Sequence, residues 1–229
     1  TNRFVTQRQH PTMALIEVTL TDHGLELRHR TRDLGALTVP ALPETFDLVP
    51  VTVWDDTIEA VVVNDACNRW LTEALGFSVR LMYLPDTSPR LADPDYAPFD
   101  VNVSFADGFP FLLIGQSSLD DLNTRLPDAV SMVRFRPNFV FEGGEPYDED
   151  QWYEFTIGGI HFYGVKPCAR CILTTVDPEK GEISGKEPLR TLSSYRKRNN
   201  KIFFGQNVVT QESGRIKVGD EVVVVSRKV

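Results

Sequence analysis

Residues 166–178 read KPCARCILTTVDP, and two of the three cysteines in this 229-residue chain, Cys168 and Cys171, stand here two residues apart. The five residues after Cys171 (ILTTV) are strand formers, so the stretch predicts that the second thiol opens a β-strand. A thioredoxin-type pair needs a helix N-terminus behind the thiols to depress the pKa of the attacking sulfur. The β-forming residues therefore disfavour a redox dithiol.

A structural zinc site needs four ligands, commonly two cysteine pairs. The remaining cysteine, Cys67, lies alone in a predicted helix, and the four histidines have no ligand spacing. Zinc is therefore disfavoured as well. Three interpretations of the thiol pair stay open: two small core residues, a thiolate ligand for a soft metal, or a reactive thiol.

Composition narrows the class of protein. Hydrophobic residues make up 41% and charged residues 24% of the chain, which is the balance of an ordinary soluble protein with one large or two small domains. No apolar run approaches the length of a membrane span. The net charge of −8 disfavours non-specific nucleic-acid binding. Three cysteines are too few, and odd in number, for a disulfide-stapled secreted domain, which favours a reducing cytosol.

Hydrophobic periodicity predicts many short strands and few helices, a pattern that favours a β-barrel or an α+β architecture. Helices are predicted at Asp65–Leu75, with Gly76 as C-cap, from Ser117, with Asp120 completing a capping box, and around residues 188–197. The proline-rich segment 85–98 predicts a loop or domain junction. Strands are predicted at 14–20, 25–29, 49–54, 58–63, 79–83, 130–135, 139–141, 152–157 and 161–165, with a hairpin and closing strand from Gly214.

Several polar residues are candidates for binding an anion. Arg134 and Arg136, two apart on a predicted strand, would project from one side of it, and Arg136 with Asn138 could hold a phosphate or a heterocycle. A structural ion pair explains the arginines equally well. The turn at Asp107-Gly108-Phe109 could aim backbone N–H groups at an anion, although an ordinary turn is the simpler interpretation. The basic cluster at Arg190, Arg196, Lys197, Arg198 and Lys201 is either a solvated face or a docking site for an acidic redox partner.

Five motifs occur in an order that resembles the MOSC proteins, named after the C-terminal part of molybdenum-cofactor sulfurase, and in particular the bacterial relatives of the mitochondrial amidoxime-reducing components. The motifs are TQRQ at 6–9, FRPN at 135–138, CARCILTTVDP at 168–178, KEPLRTLSSYR at 186–196 and FGQ at 204–206. The resemblance implies a β-rich α+β fold: a MOSC β-barrel with a few helices at 86–229, preceded by a smaller β-rich N-terminal domain at 1–85.

The resemblance also implies the molybdenum cofactor (molybdopterin) and assigns its contacts by motif position. Cys171 would ligate molybdenum, and Arg136 and Asn138 would contact the phosphate and the pterin. Arg8 would lie near the cofactor, and Ala169 and Arg170 would flank the metal ligand. Further cofactor-binding positions are Asp107, Gly108 and Phe109, in a loop that usually reads D-T-S-P in the family, and Asn207, where relatives often have an aromatic residue.

Two features of the family have no counterpart in the sequence as given. The family's first strands carry a Y-P-V-K-S-like motif whose lysine and serine contact the cofactor phosphate, and this chain starts after them, so the N-terminal domain is expected to lack those strands. Some bacterial relatives also carry a ferredoxin domain after the barrel. No cluster-ligand spacing such as C-x₄-C-x₂-C is present here, so electrons are expected from a separate protein.

The sequence therefore predicts a cytoplasmic bacterial enzyme, a molybdenum-dependent oxidoreductase that reduces small N-hydroxylated substrates. Cys171 would bind the metal, and Asp107 is the candidate proton donor. The electron donor would be a ferredoxin-, flavoprotein- or cytochrome-type protein, with no nucleic-acid partner and no membrane span. Two alternatives stay open: a non-catalytic carrier of the cofactor, and a sulfur-transfer protein with a persulfide on Cys171.

Overall fold

The computed structural model describes residues 2–228, and strands account for most of their regular structure. Fifteen strands are numbered in chain order: β1 Ile16–Thr21, β2 Gly24–His29, β3 Leu37–Pro40, β4 Leu48–Val53, β5 Asp56–Val62, β6 Met82–Tyr83, β7 Phe111–Gly115, β8 Phe139–Phe141, β9 Trp152–Ile157, β10 Ile160–Arg170, β11 Val176–Asp177, β12 Glu182–Ile183, β13 Lys197–Arg198, β14 Lys201–Val209 and β15 Val222–Arg227.

The helices over the same residues are few and short. Three are α-helices: α1 Asp65–Leu75, α2 Gln116–Thr124 and α3 Leu189–Tyr195. Four are 3₁₀ helices: Pro11–Leu15, Met132–Phe135, Asp148–Gln151 and Ile172–Thr175. The predicted β-rich α+β class is confirmed. No helix among the described residues has both the length and the apolar character to cross a bilayer.

The chain divides into two compact units. The first takes the chain up to Arg90 and the later hairpin Val176–Ile183, and the second takes Leu91–Thr175 and Ser184–Val229. The first unit therefore recruits eight residues that come directly after the 3₁₀ helix Ile172–Thr175. Gly181, in the turn of that hairpin, packs so closely on Leu15 that an added Cβ would lie 2.7 Å from the Leu15 Cγ. The predicted boundary after residue 85 stays a prediction.

The first unit holds two three-stranded antiparallel sheets, β1-β2-β3 and β4-β5-β6. The first sheet and α1 share a core of buried aliphatic side chains, with the Cys67 thiol among them. Helix α1 has the predicted limits, because Asn64 accepts a hydrogen bond from the Cys67 N–H and Gly76 ends the helix in the left-handed conformation. The strands predicted at 14–20 and 25–29 pair with each other as β1 and β2, and those predicted at 49–54 and 58–63 pair as β4 and β5.

The second unit is built on a seven-stranded sheet in the order β15-β9-β10-β14-β7-β8, and β13 pairs with the first two residues of β14. The sheet curls as a half-barrel. Strands β7 and β8 are parallel, and the other neighbours are antiparallel. The closing strand β15 is confirmed. The hairpin predicted with it is wrong, because Val222 lies opposite Ile157 of β9 and the described residues 210–221 contain no strand.

Strand β10 is the longest and carries the thiol motif. Its pairing with β14 breaks register twice, between Gly164 and Lys166 and between Pro167 and Ala169. Proline has no N–H to give to a ladder, so it is tolerated where pairing is already irregular. The bulges let the strand bend while it continues as far as Arg170.

The N-terminus of α2 differs from the predicted capping box. The helix begins at Gln116, so Ser117 lies inside it, and Asp120 accepts a hydrogen bond from Gln116 instead. The cap comes from Glu149, which is fully buried and accepts hydrogen bonds from the Gly115 N–H (3.2 Å) and the Ser118 hydroxyl (2.9 Å). Sequence patterns find local caps, and this carboxylate is 34 residues away from the group that it caps.

We expect Glu149→Ala to lower the free energy of unfolding by about 2–5 kcal/mol, because it leaves the Gly115 and Ser118 donors without an acceptor and opens a cavity. Glu149→Gln keeps an acceptor oxygen and should be far milder. Burial raises the pKa of Glu149 above its usual value, so between those two pKa values the folded state binds more protons than the unfolded state. The wild type should therefore lose stability relative to Glu149→Gln as the pH rises through that range.

Urea unfolding at a series of pH values measures this difference. The exposed Glu142→Gln, in the same segment, gives the effect of removing a surface carboxylate. A Glu149→Ala protein as stable as wild type would contradict the capping role. A Glu149→Gln protein whose free energy of unfolding falls relative to wild type as the pH rises would contradict it as well.

Candidate functional site

The second thiol of the motif lies just past the end of a strand and does not open one. Cys168 lies within β10, Cys171 follows its last residue, and Ile172–Thr175 form a 3₁₀ helix. The predicted strand at 172–176 is wrong because the threonines turn the backbone: the Thr174 hydroxyl donates to the Cys171 carbonyl (3.1 Å) and the Thr175 hydroxyl to the Ile172 carbonyl (2.8 Å). Local side-chain bonds of this kind compete with strand pairing.

The two thiols of the motif are not equivalent. All three cysteines are free, so the pair forms no disulfide. Cys168 packs against a hydrophobic core and its sulfur accepts a hydrogen bond from Arg170 Nη1 (3.0 Å). Within residues 2–228 the half-buried sulfur of Cys171 makes no hydrogen bond. Cys171 is therefore the thiol available to a ligand.

The RPN segment is a turn, and the prediction of a strand at 130–135 is wrong. Met132–Phe135 form a 3₁₀ helix, and Arg136 ends it in the left-handed conformation, with φ 55° and ψ 48°. The tight turn buries the Phe135 ring against the Phe204 ring (centroids 4.4 Å apart) and leaves Val133 63% exposed. The expectation that Arg134 and Arg136 project from one side of a strand fails with it.

Arg170 joins the thiol motif to the RPN turn. Its Nη2 donates to the Phe135 carbonyl (2.7 Å) while its Nη1 donates to Cys168, and its carbon Cζ lies 5.5 Å from the Phe135 ring centroid. The 3₁₀ helices that follow Cys171 and precede Arg136 contact each other. The structure therefore brings Arg136 near the end of β10, where Ala169, which is exposed, and Arg170 precede Cys171.

Asn138 has a structural role that its motif position does not reveal. Its side-chain oxygen accepts a hydrogen bond from the Leu112 N–H, and its own N–H donates to the Leu112 carbonyl, both at 2.9 Å. The pair ties the start of β8 to β7. Asn138 is exposed, and its side-chain amide nitrogen can still contact a ligand.

The remaining candidates in the second unit gather further back along β10, around Lys166. The Lys166 ammonium lies 3.6 Å from the Tyr96 ring centroid, 5.9 Å from the Phe109 centroid and 3.9 Å from an Asp93 carboxylate oxygen. Asn207 stands opposite Lys166 in the β10–β14 ladder. The loop with Asp107, Gly108 and Phe109 thus packs beside the first residue of the KPCARC stretch, with Asp107 exposed.

Sequence reasoning missed Lys166 and underestimated Arg170. Lys166 stands at the start of the motif, and a lysine between the strand predicted at 161–165 and a proline gives no signal that it will lie beside two aromatic rings. Arg170 was predicted to flank the metal ligand. A guanidinium two residues from a thiol, in a stretch that ends a strand, is the signal that could have identified it as a structural link.

Arg8 belongs to the first unit. Its guanidinium lies over the Trp54 ring, 4.3 Å from the centroid. Cys67 is also in this unit, where burial raises the pKa of its thiol, so it is an inert core residue. Among the described residues, no three His, Cys, Asp or Glu side chains converge as they would around a metal ion held by protein alone.

We expect Arg170→Ala to lower the free energy of unfolding by about 1.5–3 kcal/mol, because it removes a charged hydrogen bond to the Phe135 carbonyl. Urea unfolding measures the loss, and the exposed Arg190→Ala in the same unit is the matched control. A double-mutant cycle with Cys168→Ala isolates the bond to sulfur. Equal, small effects of the Arg170 and Arg190 substitutions would refute the linking role.

The comparison with known proteins agrees with this architecture. The sequence matches the MOSC N-terminal beta barrel domain over residues 1–78 and the MOSC domain over residues 100–223. It is 38% identical to "Mitochondrial amidoxime-reducing component 1" of Homo sapiens, over 98% of this chain and 70% of the human one. It is 33% identical to "Mitochondrial amidoxime reducing component 2" of Rattus norvegicus, over 96% of this chain and 69% of the rat one. The chain therefore belongs to the MOSC family, in which it is similar to the mitochondrial amidoxime-reducing components.

Proposed function

We propose that this chain is an oxidoreductase that binds the molybdenum cofactor and reduces N-hydroxylated compounds with electrons from a separate redox protein. The observation that carries the proposal is the placement of Cys171: a thiol past the end of a long strand, beside a turn with an arginine in the left-handed conformation. The printed names of the relatives add the substrate class, since an amidoxime is an N-hydroxylated compound.

The residues at the end of β10 fit such a cofactor. The dithiolene of the cofactor supplies two sulfur ligands to molybdenum, so the protein needs to supply one soft anionic ligand. The thiolate of Cys171 is such a ligand. The cofactor's phosphate needs cations, and Arg136 is one in an acidic chain. The Nε of Arg170 is buried and, among the described residues, has no hydrogen-bond partner. An orphaned donor next to the proposed metal ligand favours a bound acceptor at this site.

Each candidate residue has a role in the proposal. Cys171 binds the metal, and Arg136 grips the phosphate with a guanidinium fork that lysine cannot reproduce. The Asn138 amide nitrogen orients the pterin. Arg170 holds Cys168 and the Phe135 carbonyl, and so keeps the two turns in place. The other proposed contacts are Arg8, Gly108, Phe109, Ala169 and Asn207.

The bound cofactor would supply the two-electron reduction of the N–O bond. For each N–OH group reduced to N–H, two electrons and two protons enter and one water leaves. Asp107 is the proposed proton donor, because its exposed carboxyl can be reprotonated from solvent. We also propose a reducing compartment, the cytoplasm, because all three cysteines are free thiols.

We expect Cys171→Ser to lower amidoxime reduction by about 100-fold or more, since a hydroxyl cannot replace a soft thiolate ligand. Cys168→Ser should stay within about 3-fold of wild type, because a serine oxygen can still accept the bond from Arg170. The measurement is benzamidoxime turnover with a reduced viologen dye, together with molybdenum content, on protein from a host that makes the cofactor.

The same measurement separates the rival functions. Equal loss in both serine variants would indicate a dithiol mechanism and refute the assignment of Cys171. Molybdenum without turnover in the wild type would indicate a carrier. A cyanide-labile sulfur on Cys171 without molybdenum would indicate sulfur transfer.

A pair of substitutions at Arg136 separates its guanidinium from its backbone. Arg136→Ala and Arg136→Gly both remove the cation, and both should abolish cofactor retention. Alanine keeps the strain of the left-handed conformation while glycine relieves it, so the glycine variant should be more stable than the alanine variant by about 1 kcal/mol. Thermal melts of the cofactor-free proteins and molybdenum analysis after reconstitution measure the two effects. Normal molybdenum uptake by either variant would overturn the phosphate role.

A further inference from the structure

The segment 186–201 concentrates positive charge in a chain whose net charge is −8. It holds six lysines and arginines and a single glutamate. It forms α3, then β13, then a two-residue turn, then the start of β14. Asn199 and Asn200, the turn residues, both have positive φ, which is the geometry of a tight hairpin turn. The five residues Lys197–Lys201, here named the basic turn, are therefore held in one conformation.

Strand register places the basic turn next to the proposed metal ligand. Arg170 of β10 stands opposite Ile202 of β14, and Ala169 opposite Phe203. Cys171 is one residue beyond Arg170 and Lys201 is one residue before Ile202. The two residues thus occupy adjacent ends of neighbouring strands, whose backbones lie about 5 Å apart where they are paired.

The charges of the basic turn face solvent. Lys197, Arg198 and Lys201 are exposed, and among the described residues Lys197 and Lys201 form no ion pair. Arg198 lies over the Phe203 ring (5.2 Å to the centroid) and 3.5 Å from the buried Asp150 carboxylate, with 56% of its side chain still accessible. Arg196, by contrast, is committed, because it donates to the Phe203 carbonyl and to Asp150.

An apolar side chain lies beside these charges. Ile172, directly after Cys171, is 47% exposed. Small apolar contacts within a charged rim are typical of transient protein interfaces, where charge steers the encounter and the contact area stays small.

We infer that the basic turn is the docking face for the electron donor, a small acidic one-electron redox protein. The inference rests on the proposed function and adds where the electrons enter. The donor is oxidised by one electron at each visit, and two visits with two protons reduce one N–O bond to N–H and water. A negatively charged donor surface seated on Lys197 and Lys201 would bring its redox centre to the strand end that carries Cys171.

The test compares two double charge reversals with the same change in net charge. Lys197→Glu with Lys201→Glu alters the basic turn. Arg215→Glu with Lys217→Glu alters an exposed loop of the same unit and is the control. Each protein is assayed with two electron sources: an acidic plant-type [2Fe–2S] ferredoxin kept reduced by NADPH and its reductase, and a neutral sulfonated viologen, which needs no docking site.

For Lys197→Glu with Lys201→Glu, we expect the ratio of ferredoxin-driven to dye-driven turnover to fall about 10-fold or more, with a change under about 2-fold in the control. Ferredoxin-driven kcat/KM of the wild type should fall as salt is added, and that dependence should flatten in the basic-turn variant. An equal fall in both double variants, or none in either, would overturn the docking face.

A direct measurement of ferredoxin binding distinguishes failure of the docking face from failure of the proposed enzyme function. If the wild type turns over with neither electron source, the proposed enzyme function fails, and titration of oxidised ferredoxin by calorimetry still tests the docking face. Binding that survives the control reversal and is lost in the basic-turn reversal supports it. No binding to the wild type, or tighter binding of duplex DNA than of ferredoxin, refutes it.

Discussion

The fork of hydrogen bonds from Arg170 is the interaction on which the candidate site depends. One arm reaches the Phe135 carbonyl and the other reaches the Cys168 sulfur, so a single side chain joins a strand end to a turn 35 residues earlier. The Phe135 ring packs, tilted, against Phe204 of β14, and this packing fixes the turn from its other side. The guanidinium therefore adds a polar link between two segments, carrying Cys171 and Arg136, that also contact each other.

The same guanidinium keeps one donor, its buried Nε, without a partner among the described residues. A fold selected for stability alone tends to satisfy such a donor or replace it by an apolar group. The proposed acceptor at this site would explain why this donor lies unpaired next to an available thiol. Strand β10 thereby does two things at once: its middle supports the loop with Phe109 through Lys166, and its end presents the thiol.

Two consecutive buried carboxylates, Glu149 and Asp150, hold α2 and the β13–β14 hairpin of the second unit in place. Glu149 caps α2 through Gly115 and Ser118, and Asp150 holds Arg196, which also donates to the Phe203 carbonyl. One short 3₁₀ helix, Asp148–Gln151, therefore positions a helix start and the hairpin of β13 and β14. Arg196 is occupied by these bonds, whereas Lys197, Arg198 and Lys201 of the basic turn stay exposed next to the end of β10.

Sequence alone determined the features that arise within a few residues. The limits of α1 follow from Asn64 and Gly76, the strands of the first unit from hydrophobic periodicity, and the family from the order of the motifs. It failed where distant groups decide the backbone. Within the strands predicted at 130–135 and 172–176, Met132–Phe135 and Ile172–Thr175 are 3₁₀ helices, because burial of Phe135 and threonine-to-carbonyl bonds outweigh β-propensity there. The cap of α2 by Glu149, the link through Arg170 and the register that sets Lys201 beside Cys171 all join residues far apart in the chain. No local pattern encodes such pairs, so only the tertiary structure decided them.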